Sequence, residues 1–350
     1  MTHIPASLSR RRLLLAGAAA GLAAPHLGAQ APTKITISYP TRSGASWPLW
    51  LAKQGGFYER HGLDVTLEFG VHPAGVAMLV SGQAQMINYG LEQILTASLR
   101  DPTFTMVGSS LSKGSFALIA QKGLSKVQDL KGKRIGIGRL GDPLYTFTLD
   151  LIQKSGMGAR DVVWVPTGTD AVARAKMLEG GQLDASLMVA PAYFRLEAQG
   201  FSVVDLLANH PDIFVSTAYV FRKQWAQSNP DTVLRLVMAQ TEAIARFYED
   251  KAAAVQAYRA YDPQPEPDVA RIYDMYKAKD VLDRVPLLQK AAVESAIARQ
   301  ADDVPGIRNL QVQQVIDMGP VRKLVADGYF RKVFGAGVAA EEQRKLAASF

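Results

Sequence analysis

The sequence predicts an α/β protein made of two similar lobes, each around a mainly parallel sheet, joined by a hinge of two strands. Three observations predict it. Strands and helices alternate at lengths that suit parallel sheets with right-handed crossovers. The alternation occurs twice, over 47 positions from Ile35 to Gly82 and over 46 positions from Ile135 to Gly181. Two further strands, 115–120 and 216–221, flank the second unit where a chain passes out to a second lobe and returns. One continuous doubly wound sheet is the competing arrangement, and it gives no reason for two near-copies of one unit.

The first unit opens with the alternating strand Lys34-Ile35-Thr36-Ile37-Ser38-Tyr39, then a Ser/Gly loop and an amphipathic helix from about Pro48 to Arg60. After Gly62 comes the strand 64–69. A turn with Pro73 and Gly75 starts a second helix that ends at Ser81-Gly82, and the short strand 85–89 follows. The second unit repeats this order. Strand 133–137 leads through the loop 138–143 into the helix Leu144 to Ser155, then strand 162–165. A helix from Thr167-Gly168-Thr169-Asp170 ends at Gly180-Gly181, and strand 185–189 closes the unit. Beyond it the chain is helical. Asn229-Pro230 has the residue types of a helix start, and Val233, Leu236, Val237, Ile244 and Phe247 recur at helical spacing. Further helices are expected from about Asp268, Pro286 and Leu310, with no cluster of chemically active residues among them.

The first thirty-one residues read as an export signal. Arg10-Arg11-Arg12 precede a short apolar run, Leu13 to Ala24, and small residues offer cleavage after Ala29 or Ala31. The run is too short to span a bilayer, which takes about 20 apolar residues. Both a twin-arginine and a general export route suit it. The chain has no cysteine, so lipid anchoring, disulfides and thiolate chemistry are not available to it. A soluble periplasmic protein is expected. Removing the three signal arginines leaves 36 basic against 32 acidic residues, too small and too dispersed a surplus for a nucleic-acid partner.

One segment resembles a known family. Gly44-Ala45-Ser46-Trp47-Pro48-Leu49-Trp50-Leu51-Ala52-Lys53 followed by Gly56-Phe57-Tyr58 and Gly62-Leu63-Asp64-Val65 is similar to the opening of the nitrate/sulfonate/taurine and thiamine-precursor group of periplasmic binding proteins. Val80-Ser81-Gly82-Gln83, Leu178-Glu179-Gly180-Gly181-Gln182 and Ala190-Pro191 resemble its later signatures. The resemblance covers roughly residues 34 to 250. It implies a type II periplasmic-binding-protein fold, a small-molecule ligand held between the lobes, and an ABC-importer permease in the inner membrane as partner. No enzyme activity, cofactor or metal is expected, and the protein is expected to act as a monomer. Residues 32–115 and 222–350 would form the first lobe, and 116–221 the second with its hinge strands. Enzymes on the same fold, of the menaquinone or thiamine-precursor type, are the alternative, as is a ligand-sensing subunit for a membrane receptor. The cysteine-rich motif of the thiamine-pyrimidine enzymes has no counterpart here.

In parallel α/β units ligands lie beyond the carboxyl ends of the strands, where helix N-termini present free N–H groups. The candidates in the first lobe are therefore Ser43, Gly44, Ser46, Trp47, Pro73, Gly75, Asn88, Tyr89 and Gly90. In the second lobe they are Gly141, Asp142, Tyr145, Gly168, Thr169, Ala190, Pro191 and Tyr193. Those positions favour an anionic or carbonyl-bearing ligand, and Arg42 and Arg139 flank the two mouths. Gly136-Ile137-Gly138-Arg139-Leu140-Gly141 matches a dinucleotide fingerprint in form, but Val165-Pro166 stands where the acidic residue belongs, so it reads as a tight turn. No histidine pair has metal-ligand spacing, and no serine lies in a nucleophile elbow.

Overall fold

The structure, a computed structural model, describes residues 31–70, 74–168, 170–210 and 217–350. Pro73 and Thr169, the loop histidine His72, and the export-signal segment up to residue 30 lie outside the described residues.

In chain order the first half contains β1 (Thr33–Tyr39), α1 (Trp47–Gln54), α2 (Phe57–Arg60), β2 (Leu63–Phe69), α3 (Ala74–Ser81), β3 (Met86–Tyr89), α4 (Leu91–Ser98), β4 (Phe104–Met106) and β5 (Phe116–Ala120). Then follow β6 (Arg134–Ile137), α5 (Pro143–Lys154), β7 (Val163–Pro166), α6 (Ala171–Glu179), β8 (Ala185–Val189), α7 (Ala192–Ala198), β9 (Ser202–Leu206) and β10 (Ala218–Arg222). The rest is helical: α8 (Lys223–Ser228), α9 (Pro230–Glu249), α10 (Lys251–Tyr261), α11 (Glu266–Ala278), α12 (Lys290–Gln300), α13 (Gly319–Ala326), α14 (Tyr329–Phe334) and α15 (Ala339–Ala348).

The strands form two separate five-stranded sheets, ordered β2-β1-β3-β10-β4 and β7-β6-β8-β5-β9. The same order is built twice. In each, the first strand of the unit lies between its two parallel partners, and a fourth strand joins antiparallel. The two repeated units are thus two sheets, and the single continuous sheet is ruled out. Helices cover the inner strands on both faces, which is why β3 (MINY) is buried at every position.

One boundary differs from the sequence reading. The strand expected at 216–221 as a hinge strand of the second lobe pairs instead inside the first sheet, between β3 and β4. Tyr219 and Val220, on opposite faces, are both buried there, so the strand gains a two-sided core that a hinge strand lacks.

Residues 107–111, on the way to the second sheet, run beside 217–219 and 282–286. Leu111 bridges Thr217 on one side and Leu282 on the other. Val107 donates its N–H to the Tyr219 carbonyl at 3.0 Å, and Ser109 donates to the Pro286 carbonyl at 3.0 Å. Asp283 donates back to the Ser110 carbonyl at 2.9 Å. The helix expected from about Pro286 therefore starts only at Lys290, because the backbone before it is committed to the crossover. Likewise the helix expected near Leu310 starts at Gly319, after two short 3-10 turns.

Candidate functional site

The carboxyl ends of β1, β2 and β3 form the mouth of the first lobe. Ser43 accepts a hydrogen bond from the Ala45 N–H at 3.4 Å, and Ser46 donates its hydroxyl to the Thr41 carbonyl at 2.7 Å. These bonds shape the loop before α1, whose N-cap Ser46 makes no side-chain cap bond. Gly44 is required by packing: a Cβ there would lie 2.4 Å from Tyr276 Oη. Gly75 is similar, since its Cβ would lie 1.9 Å from Tyr89 Oη. Both glycines admit a tyrosine ring of the protein itself rather than a solute.

Two aromatic candidates are placed in the core. Trp47 is fully buried, donates its indole N–H to the Ala254 carbonyl at 2.7 Å, and packs edge-on against Phe247, Tyr258 and Tyr273. Its ring offers no face to a solute. The reason lies in α9, α10 and α11, which close over α1 and which short-range reasoning does not bring near residue 47. Tyr89 is also fully buried, donating to the Gly70 carbonyl and lying 3.2 Å from Ser38 Oγ.

Asn88 behaves differently. It is 2% exposed, yet its Oδ1 has no hydrogen-bond partner among the described residues. The Thr217 hydroxyl is equally orphaned. Asn88 pairs with Tyr219 across β3 and β10, and Thr217 lies two residues from Tyr219, so both orphaned groups belong to one face of the sheet beside the crossover. Leaving a buried acceptor unmatched costs about 1–3 kcal/mol, a deficit that a polar solute group would offset. Gly90, the N-cap of α4, also carries no side-chain cap. At the rim, Phe69 is 43% exposed and the Arg42 guanidinium lies over its ring, 4.7 Å from the centroid. Arg42 has no carboxylate partner among the described residues.

The mouth of the second lobe is built around Asp142. Its carboxylate caps α5 by accepting from the Tyr145 N–H at 2.8 Å and also accepts from the Arg139 N–H at 3.2 Å. Burial pushes its pKa up, against the pull of those N–H groups and of the buried Arg174. A Cβ at Gly138 would meet Asp142 Oδ2 at 1.9 Å, and one at Gly136 would meet Leu183 at 2.5 Å. Gly141 sits at φ +77°, in the left-handed region. The fingerprint-like glycines therefore serve the turn and its close packing. Gly168, also at positive φ, accepts from Arg174 Nη1 at 2.8 Å, and Asp170 caps α6. Replacing Asp142 by Ala is expected to cost about 1 kcal/mol in urea unfolding through loss of the cap, with Asp142→Asn restoring most of it. Equal midpoints for all three proteins would remove the cap from the account.

Tyr145 is half-buried and packs edge-on against Trp164. Ala190 and Pro191 are joined by a cis peptide bond at the start of α7. Tyr193 is nearly buried and donates to Met275 Sδ at 3.3 Å; burial raises its pKa to about 12.

Between the lobes lies a crevice of about 570 Å³, lined by Val76, Val80 and Arg100 of the first lobe and Arg139, Asp142 and Pro143 of the second. Sequence reasoning missed the part of its wall that Gln300 and Val304 supply, and with it the wider contact of the C-terminal region with the second lobe. The C-terminal region carries residues that face the second lobe: Arg271 of α11 pairs with Glu197 of α7, Arg299 of α12 with Asp150 of α5, and Asp303, in the turn after α12, lies against Gly141. Nothing local in α11 or α12 signals this. It follows from where they dock.

A family model described as NMT1/THI5 like matches residues 45–254. The 4-amino-5-hydroxymethyl-2-methylpyrimidine phosphate synthase of Schizosaccharomyces pombe is 26% identical over 232 residues, covering 61% of this chain and 64% of that protein. A Brucella abortus protein that carries the name of a binding protein is 28% identical over 222 residues, covering 60% and 67%. The matched region thus spans about two thirds of the length of these curated relatives. Among solved structures, the periplasmic aliphatic sulphonate binding protein SsuA from Escherichia coli superposes with a TM-score of 0.68 at 15% identity, over 82% of this chain and 92% of that one. The two chains share the periplasmic-binding-protein fold.

Proposed function

From the premise that this chain belongs to the NMT1/THI5-like family, we propose that it is the extracytoplasmic solute-binding component of an ABC-type importer. It captures a small anionic or carbonyl-bearing molecule between its lobes and delivers it to a membrane permease. The observation that carries this reading is the pair of orphaned polar groups, Asn88 Oδ1 and the Thr217 hydroxyl, on a sheet face beside the interlobe crossover. The arginine-led apolar segment at the N-terminus supports export. Among the described residues, no helix is long and apolar enough to cross a membrane.

The helix ends give the solute a direction. In the second lobe, α5 and α6 start under the carboxylates Asp142 and Asp170, which occupy the N–H groups and repel an anion. In the first lobe, α1 and α4 start without a side-chain cap, and Arg42 nearby has no carboxylate partner among the described residues. The anionic end of the ligand therefore faces the first lobe. Its other end meets the exposed Leu140 and Val172 and the acceptors of the second lobe. Closure over the ligand follows from contacts that exist only when both lobes touch it.

A thermal-shift screen over sulfonates, nitrate, carboxylates and pyrimidines tests the reading. A true ligand at about 100 times its Kd stabilises the fold by roughly 2.7 kcal/mol. Turnover of one of these compounds without stabilisation by any would replace transport by catalysis. The synthase named among the relatives gives that second reading its place, but the cysteine-rich motif that the resemblance implies for such enzymes has no counterpart in this sequence.

A further inference from the structure

We propose that Arg299 is a clasp between the lobes, held to the first by Glu92 and to the second by Asp150. Its Nη2 donates to Glu92 Oε1 at 2.6 Å, and its Nη1 to Asp150 Oδ2 at 3.3 Å. Glu92 lies in α4 and Asp150 in α5, so one guanidinium from α12 joins elements of both sheets' layers. The site is enclosed: the side chains of Arg299, Glu92 and Asp150 are 7%, 9% and 18% exposed. The guanidinium also lies 5.5 Å from the centre of the Phe147 ring. Separating α5 from α4 and α12 must break the Arg299–Asp150 pair.

The chemistry of the triad sets the sign of a pH response. Asp150 faces Arg299 on α12, Glu92 on α4 and Lys154 on its own helix, and Asp302 lines, with Asp150 and Arg299, a second cavity apart from the 570 Å³ crevice. Burial raises the Asp150 pKa to about 6; Glu92 adds to this, while Arg299 and Lys154 oppose it without cancelling it. In an open form the carboxyl returns to water and to its ordinary value, near 3.9. The group is thus more basic in the clasped form, so protons favour clasping. The stabilisation is complete below pH ~4 and is lost as pH rises through about 6. Acid closes this clasp, and neutral pH loosens it.

The test needs no ligand, so it stands or falls apart from the transport reading. The chain has no cysteine, so Val80→Cys and Leu140→Cys provide the only two thiols, one in each lobe, for spin labels. The interlobe distance distribution is then read at pH 5 and pH 7.5. In the otherwise unchanged protein the ratio of long to short distances is expected to rise roughly tenfold between the two. Asp150→Asn, which keeps the Arg299–Glu92 pair, is expected to hold the short distance at both pH values. Arg299→Met is expected to populate the long distance at both. Superposable distributions for the three proteins, or opening on acidification, overturns the proposal.

Discussion

Trp47→Ala is expected to lower the unfolding free energy by about 3–5 kcal/mol, the usual cost of emptying a large aromatic site in a core. The indole is fully enclosed by Phe247, Tyr258, Tyr273 and Tyr276, and its N–H satisfies the Ala254 carbonyl. Truncation removes the edge-on ring contacts and leaves a buried carbonyl without its donor. It also loosens the joint between α1 and the helices α9 to α11, which pass from the first sheet toward the crossover. The apparent melting temperature should fall by about 4–8 °C. Trp47→Phe, which keeps most of the volume, should lose much less. An unchanged melting temperature combined with weakened ligand binding would return Trp47 to the cleft.

The second large effect is expected at Arg42. If the anionic end of the solute faces the first lobe, Arg42→Ala removes a charge-assisted partner worth about 1.5–3 kcal/mol. Affinity for an anionic ligand found in the screen should drop about 10–100-fold by isothermal calorimetry, and the loss should shrink at high salt. Arg139→Ala, beside the carboxylate of Asp142, should cost clearly less. Equal losses for the two, or a larger loss at Arg139, would reverse the orientation of the ligand. Because Arg42 is exposed and, among the described residues, stacks only on Phe69, its removal leaves the fold intact and the comparison clean.

The repeat was legible because each unit writes its own signals locally. Alternating residues make β1 and β6, glycines end the helices, and Asp142 and Asp170 each stand one residue before a helix whose N–H groups they accept. The caps were readable as loop residues, but their effect on the ligand was not. A carboxylate that fills a helix N-terminus removes the anion site which the bare helix end implies. The burial of Trp47 and Tyr89 is not legible in the sequence for a related reason. Position beyond a strand end says that a residue is near the cleft, but not whether its ring points outward or under a neighbouring helix.

By itself the sequence determined the α/β class and the two equal units, since these follow from periodicity and turn chemistry within short stretches. Only the tertiary structure decided that 218–222 completes the first sheet, that 281–286 runs beside the crossover, and that Arg271 and Arg299 reach across to the second lobe. Each of those depends on segments tens to hundreds of residues apart coming together, as Arg299 does with Glu92 and Asp150. Such pairings are selected by burial of the whole surface, and no local pattern in the chain encodes them.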